Sequence, residues 1–197
     1  MRAVLFAALA VFAPQAVAQH HGGSSHSPGV AETFVVDGLR VDEADPPPGS
    51  AVGRAGLRYA DGGYLAVVYG KPYARGRQVF GGLVGFGQVW AAGAHRATEL
   101  FTTVPLVIGG TRVEPGAYSL FLTPEPGAWT LHVNRALGMH LADEYDPSRD
   151  VATVAVAPAT LAAPLDALAW SFADDGRALR LAWADRSADF PIARADP

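Results

Sequence analysis

Residues 168–183 read LAWSFADDGRALRLAW. Successive side chains of an extended chain point to opposite faces. Leu168, Trp170 and Phe172 therefore share one face, and Ala169, Ser171 and Ala173 the other. Asp174-Asp175-Gly176 follows as a turn, because Asp and Gly accept the backbone angles a reversal needs. Beyond it Leu179, Leu181 and Trp183 alternate with Ala178, Arg180 and Ala182. Two alternating runs joined by a short Gly-containing loop predict an antiparallel hairpin with one face in a core.

The same period recurs outward from this hairpin. Trp129, Leu131 and Val133 alternate with Thr130, His132 and Asn134, and Tyr118, Leu120 and Leu122 with Ala117, Ser119 and Phe121. Val104 to Ile108, Gly109-Gly110 and Thr111 to Val113 read as a second hairpin, and Val151 to Val156 as a further strand. Tyr64 to Tyr69 is apolar on both faces, as a central strand between two layers is. Short turns at Gly109-Gly110, Pro115-Gly116 and Pro124 to Gly127 separate these runs. The pattern predicts an all-β fold: an antiparallel β-sandwich or partly open barrel with at most one short helix, at Arg135 to Tyr145. The compact domain is expected at 50–192, with a tail at 193–197 and an edge strand at 34–41.

The chain has 197 residues, suited to one domain, and a net charge of −4. It has no cysteine, which excludes disulfides, thiol chemistry and Cys-ligated zinc. Met1-Arg2, the apolar run Ala3 to Ala13, Pro14 and Ala16-Val17-Ala18 read as a secretory signal cleaved after Ala18. The expected location is therefore secreted or periplasmic. Cleavage would remove one of 15 basic residues and none of 19 acids, leaving a net charge of −5. The apolar run is about half of what a bilayer crossing needs, so no transmembrane span is expected. Gln19 to Gly29 (QHHGGSSHSPG) and Asp42 to Ser50 (DEADPPPGS) read as flexible leader and Pro-rich linker within 19–49.

From Tyr69 the chain reads YGKPYARGRQVFGGLVGFGQVWAAGAHRATELFT, followed by PGAYSLF at 115–121, WTLHVN at 129–134 and EYDPSRDV at 144–151. In order and spacing these segments resemble the DUF2911 family, bacterial secreted or lipid-anchored domains, over roughly residues 50–192. The resemblance implies a mostly β domain outside the cytoplasm and brings no assigned activity. Where the family commonly has Gly-Ala-Asn-Glu-Ala-Thr, this chain has Gly93-Ala94-His95-Arg96-Ala97-Thr98, and Ala91 follows Trp90 where an Arg is common.

Four groups of residues carry candidate chemistry. Lys71 (the chain's one lysine), Arg75 and Arg77 lie within seven residues and can grip a carboxylate, sulfate or phosphate, since guanidinium binds such groups through a planar fork. The plainer alternative is a solvated loop paired with acids such as Glu99 or Asp146. Trp90, His95, Arg96, Thr98 and Glu99 combine an apolar wall with polar groups, as a sugar or small-acid pocket does. The alternative there is a core tryptophan beside a tight turn. Histidines 20, 21 and 26 fall in the leader, and His95, His132 and His140 in the domain. No HExxH or other metal spacing occurs, His140 and Glu144 being the weak exception at i, i+4, so no metal or other cofactor is expected. The alternation puts His132 on the polar side of its strand, exposed or paired. Asp143-Glu144-Tyr145-Asp146 can share acid and base roles, or simply form a solvated turn.

The chain lacks GxSxG, GxGxxG and a P-loop, and no basic stripe points to nucleic acid. These features predict a non-catalytic binding module for a small anionic ligand, a glycan or an envelope partner. The competing reading is a hydrolase using His95 as base with Glu99 or Glu144.

Overall fold

The computed structural model describes residues 29–37 and 50–195; the expected signal peptide and most of the leader lie outside them. The strands are β1 (Val30–Asp37), β2 (Ala51–Tyr59), β3 (Tyr64–Lys71), β4 (Thr98–Thr102), β5 (Leu106–Ile108) and β6 (Thr111–Val113). They continue with β7 (Gly116–Pro124), β8 (Trp129–Asn134), β9 (Asp150–Val156), β10 (Ala159–Phe172) and β11 (Ala178–Arg194). One sheet of seven strands runs β1-β2-β3-β4-β7-β8-β9, and a second of four runs β10-β11-β5-β6, every pair antiparallel. The two sheets are not closed into a barrel, so the sandwich alternative holds.

The 168–183 hairpin forms in the expected register, with Trp170 opposite Leu181 and Phe172 opposite Leu179. Its apolar face presses Leu168, Trp170 and Leu181 against Leu57, Leu65 and Val67 of β2 and β3 and Leu120, Leu122, Trp129 and Leu131 of β7 and β8, all buried in one core. Burying each such side chain contributes about 1.5–3 kcal/mol, so the layered core carries the fold without covalent staples. β3 is central and buried on both faces over Leu65 to Val67.

An ion pair joins the layers at one end. Arg194, at the end of β11, donates from Nη1 and Nη2 to Asp61 Oδ1 and Oδ2 at 3.0 and 2.8 Å, and its guanidinium lies 5.2 Å from the Tyr59 ring centroid. Asp61 sits in the β2–β3 turn, so the pair links the seven-stranded sheet to the four-stranded one.

Several elements depart from the sequence reading. No α-helix forms at Arg135 to Tyr145; among the described residues the one helical element is a 3-10 turn, Pro147–Arg149. Gly138 (φ 70°) and Leu141 (φ 52°) take left-handed angles that interrupt a right-handed helix, and the segment spends its backbone groups on a neighbouring loop instead: Ala97 N–H donates to Met139 O at 3.0 Å and Leu141 N–H to His95 O at 3.1 Å. β7 is buried on both faces, because Phe121 on its outer side packs with Ala91, Ala97, Ala136 and Met139 in a second small core. The strand expected at 34–41 appears as β1, Val30–Asp37, with 38–41 outside the described residues. β11 runs on to Arg194, into the stretch read as a tail. β10 reaches back to Ala159, bulged where Thr160 pairs with Arg186 but Leu165 with Ala184.

The Asp61–Arg194 pair sets an acid dependence. The hydrogen bonds from Arg194 and Gly63 lower the Asp61 carboxyl to about 2. Its contribution to stability is full above the ordinary carboxyl range and is lost as pH falls toward 2. Asp61→Asn should flatten the stability–pH curve between about pH 4 and 2 by up to about 1 kcal/mol, the pair being partly exposed. Urea unfolding midpoints across that range measure it, and an unchanged slope would refute the assignment.

Candidate functional site

β3 and β4 are joined by residues 72–97, a connection far longer than the usual two to six residues, and such loops commonly carry function. The tertiary structure pins it at many points. Leu168 N–H donates to Pro72 O (2.9 Å), and Ala74 N–H and Arg75 N–H donate to Asp166 O and Oδ1 (both 2.6 Å). Trp90 and Leu122 exchange two backbone bonds of 2.8 Å. Trp90 Nε1–H donates to Gly93 O (3.0 Å), while Thr98 Oγ1–H and Trp170 Nε1–H both donate to Ala92 O (2.9 Å). Arg75, Ala92 and His95 hold positive φ without being glycine, a cost tolerated only where surroundings over-determine the backbone.

A cleft of about 580 Å³ opens where this connection meets the β7–β8 turn and the bulged β10–β11 arm. Its floor is Phe80 and Trp129, whose ring centroids are 4.3 Å apart. Behind it Trp183 stacks on Trp90 at 5.7 Å. Phe86, 42% exposed, forms one wall. Arg77, Gln78, Glu125, Asp185 and Arg186 form the polar rim. Arg77 is fixed by donating from Nε to Ala74 O (2.9 Å) and from Nη2 to Tyr73 O (2.8 Å). Arg186 is fixed by donating from Nη1 to Thr160 Oγ1 at 3.0 Å, with Nε 3.5 Å from Asp185 Oδ2. Ala184, at φ 50° within β11, lines the same cleft.

Arg77 lies on this rim, Arg75 turns its guanidinium toward the Tyr73 ring at 5.9 Å, and Lys71, half-buried at the end of β3, lines neither this cleft nor the two below. Trp90 is half-buried in the aromatic stack, and Thr98 is wholly buried as an anchor of the loop.

His95 and Glu99 line a second, apolar cleft of about 280 Å³ against β2 and β3. A Cβ on Gly70 would lie 2.0 Å from Ala94 O, so only glycine lets β3 approach the loop that presents His95. Glu99 Oε1 accepts from Gly138 N–H at 3.1 Å. A bridge between Arg96 and His140 then joins two candidate groups that stand far apart in sequence. Arg96, His140, Asp143 and Glu144 line a third cleft of about 490 Å³ with Arg135 and Arg149. His140 Nδ1 lies 3.2 Å from Asp143 Oδ2, and the His140–Glu144 spacing falls on a turn, not on one helix face. Among the described residues no three His, Asp or Glu side chains form a metal-holding group.

One cluster was legible only in part. His132 stands on the outer face of the seven-stranded sheet, paired as alternation allowed, within a chain of five side chains. Its Nε2 lies 2.9 Å from Thr123 Oγ1 and its Nδ1 3.1 Å from Asp150 Oδ2. Tyr145 O–H donates to the same Oδ2 (2.6 Å), and Asn134 Nδ2–H donates to Oδ1 (2.7 Å) and to Asp146 O (2.9 Å). Burial, then the bond to Asp150, pushes the Tyr145 phenol well above its ordinary range, so it remains a donor. A hydroxyl–imidazole–carboxylate chain has the order of a nucleophile, base and orienter. It also ties the 135–149 segment to the sheet. Asp150→Ala strips acceptors from wholly buried Asn134 and from Tyr145. The expected loss is about 2 kcal/mol or more. Chemical denaturation measures it, and a change below about 0.5 kcal/mol would show the network to be ornamental.

Residues 56–192, from within β2 to within β11, match the model of a family described as protein of unknown function (DUF2911). No curated protein and no solved structure matches the chain. Among the described residues no helix is long and apolar enough to cross a membrane. With most of its length matched, the chain belongs to the DUF2911 family.

Proposed function

We propose that this domain is an extracytoplasmic, non-catalytic binding module whose ligand, a saccharide, occupies the 580 Å³ cleft. The observation that carries the reading is the pairing of an exposed aromatic ring, Phe86, with two immobilised guanidiniums and two carboxylates on one rim. A sugar offers an apolar C–H face that packs on a ring, and vicinal hydroxyls that accept from Arg and donate to carboxylate. The cleft volume lies within the roughly 300–1,000 Å³ typical of small-ligand sites. Arg77 and Arg186 are already held by protein acceptors, so little side-chain entropy is left to lose on binding. The export reading rests on residues 1–18.

A hydrolase is the second reading, and the Thr123–His132–Asp150 chain favours it at that place more than at His95. His95 Nδ1 and Nε2 make no hydrogen bond with Glu99 or Glu144 among the described residues, and Glu99 already accepts from Gly138. Neither Thr123 nor His132 lines any of the three clefts, which leaves binding as the better-supported function.

Calorimetric titration with a panel of envelope mono- and oligosaccharides tests the proposal. At least one should bind with a Kd of about 1 mM or tighter. Phe86→Ala and Arg186→Ala should each weaken it about tenfold, near 1.4 kcal/mol, without altering thermal stability. Absence of binding across the panel, or binding indifferent to both substitutions, would sink it. Turnover of activated esters that disappears in Thr123→Ala would establish the second reading instead.

A further inference from the structure

The third cleft belongs to a different surface and does not depend on the saccharide reading. Residues 135–149 leave β8 and return to β9 across the outer face of the large sheet. Asn134 Oδ1 accepts from Ala136 N–H (2.9 Å) at the start, and Arg135 N–H donates to Arg149 O (3.0 Å), which closes the segment and places two arginines side by side. Arg96 joins them from the opposite loop by donating from Nη1 to Gly138 O at 2.8 Å. Among the described residues the guanidiniums of Arg135 and Arg149 make no hydrogen bond or ion pair.

The acids nearby are partly engaged. Asp143 contacts His140 at 3.2 Å, and Asp146 accepts from Ser148 N–H at 2.9 Å while facing the field of Arg149. Glu144 is the remaining acid on the lining. The lining sets Arg96, Arg135 and Arg149 against Asp143 and Glu144, and Glu99 is held just behind it on Gly138 N–H, so the excess of cations on the lining itself is one, in a chain of net charge −4.

Two leucines flank these cations. Leu137 is 51% exposed and Leu141 36% exposed. Leu141 also sits at φ 52°, a left-handed angle that disfavours any residue with a Cβ. Leu141 belongs to neither buried cluster, so core packing does not offset that angle. Unpaired guanidiniums beside outward apolar side chains match the chemistry of an interface with charged phosphates above and hydrocarbon below.

We propose that this face docks on an anionic phospholipid surface, with Arg96, Arg135 and Arg149 taking headgroup phosphates and Leu137 and Leu141 entering the interface. Arginine forks suit phosphate oxygens, and the contact weakens as salt screens it.

Co-sedimentation with vesicles of equal parts phosphatidylglycerol and phosphatidylcholine, against phosphatidylcholine alone, tests the docking. The protein expressed from the whole chain is used, so any retained apolar run at 3–13 is common to every variant. Binding should require phosphatidylglycerol and fall with salt. Arg135→Ala and Arg149→Ala should each cost about fivefold in vesicle affinity. Leu137→Ser with Leu141→Asn should also weaken it, asparagine being tolerated at positive φ. All four side chains are exposed or on the cleft lining, and thermal melts confirm that the variants fold. No preference for the anionic vesicles, binding unchanged in the variants, or binding of inorganic phosphate without vesicles would each overturn the proposal.

Discussion

The indole of Trp170 donates to the carbonyl of Ala92 from within the core. That bond crosses from the four-stranded sheet to the long connection between β3 and β4, and Thr98 adds a second donor to the same oxygen. A buried carbonyl without a partner is costly, so the connection has one place to lie once the sandwich closes. All three clefts take residues from it: Arg77, Phe80 and Phe86 in the first, His95 in the second, Arg96 in the second and third. This anchor inside the core, with the bonds at Pro72, Ala74 and Trp90, thus sets the geometry of the surface.

Backbone strain falls on the same regions. Among the described residues Arg75, Ala92, His95, Leu141 and Ala184 are the non-glycine residues at positive φ, and Ala184, His95 and Leu141 stand at or beside the three clefts. With no cysteine available, the cost of holding them is offset by aromatic packing, by pinned guanidiniums and by the Asp61–Arg194 pair between layers. The outer face of the large sheet is stabilised differently. There the His132–Asp150–Tyr145–Asn134 network and the small core around Phe121 tie the 135–149 segment to the sheet, where a strand of simple alternation would have faced water.

Alternation of apolar and polar side chains is local information, and it determined most of the framework by itself. The 168–183 hairpin, the β5–β6 hairpin, the inward residues of β8 and the central position of β3 all follow from it, because a strand's two faces are decided residue by residue. Family membership was likewise legible from the order of motifs. The helix expected at Arg135 to Tyr145 failed because its backbone partners, Ala97 and His95, lie some forty positions away, and no local pattern registers them.

The site depended on the third dimension. Arg75 and Arg77 both lie against Tyr73, one over its ring and one on its carbonyl, and of the basic trio Arg77 alone lines the first cleft. Arg96, Arg135 and Arg149 are distant in sequence yet line one cleft, through a bridge between two loops. His132 was readable as a polar-face residue, but its partners Thr123, Asp150 and Tyr145 arrive from three other segments. Composition and period therefore determined that two sheets must form and which faces they bury. Only the tertiary structure decided which charged and aromatic side chains meet, since that is set by long-range pairing and by buried polar groups finding their partners.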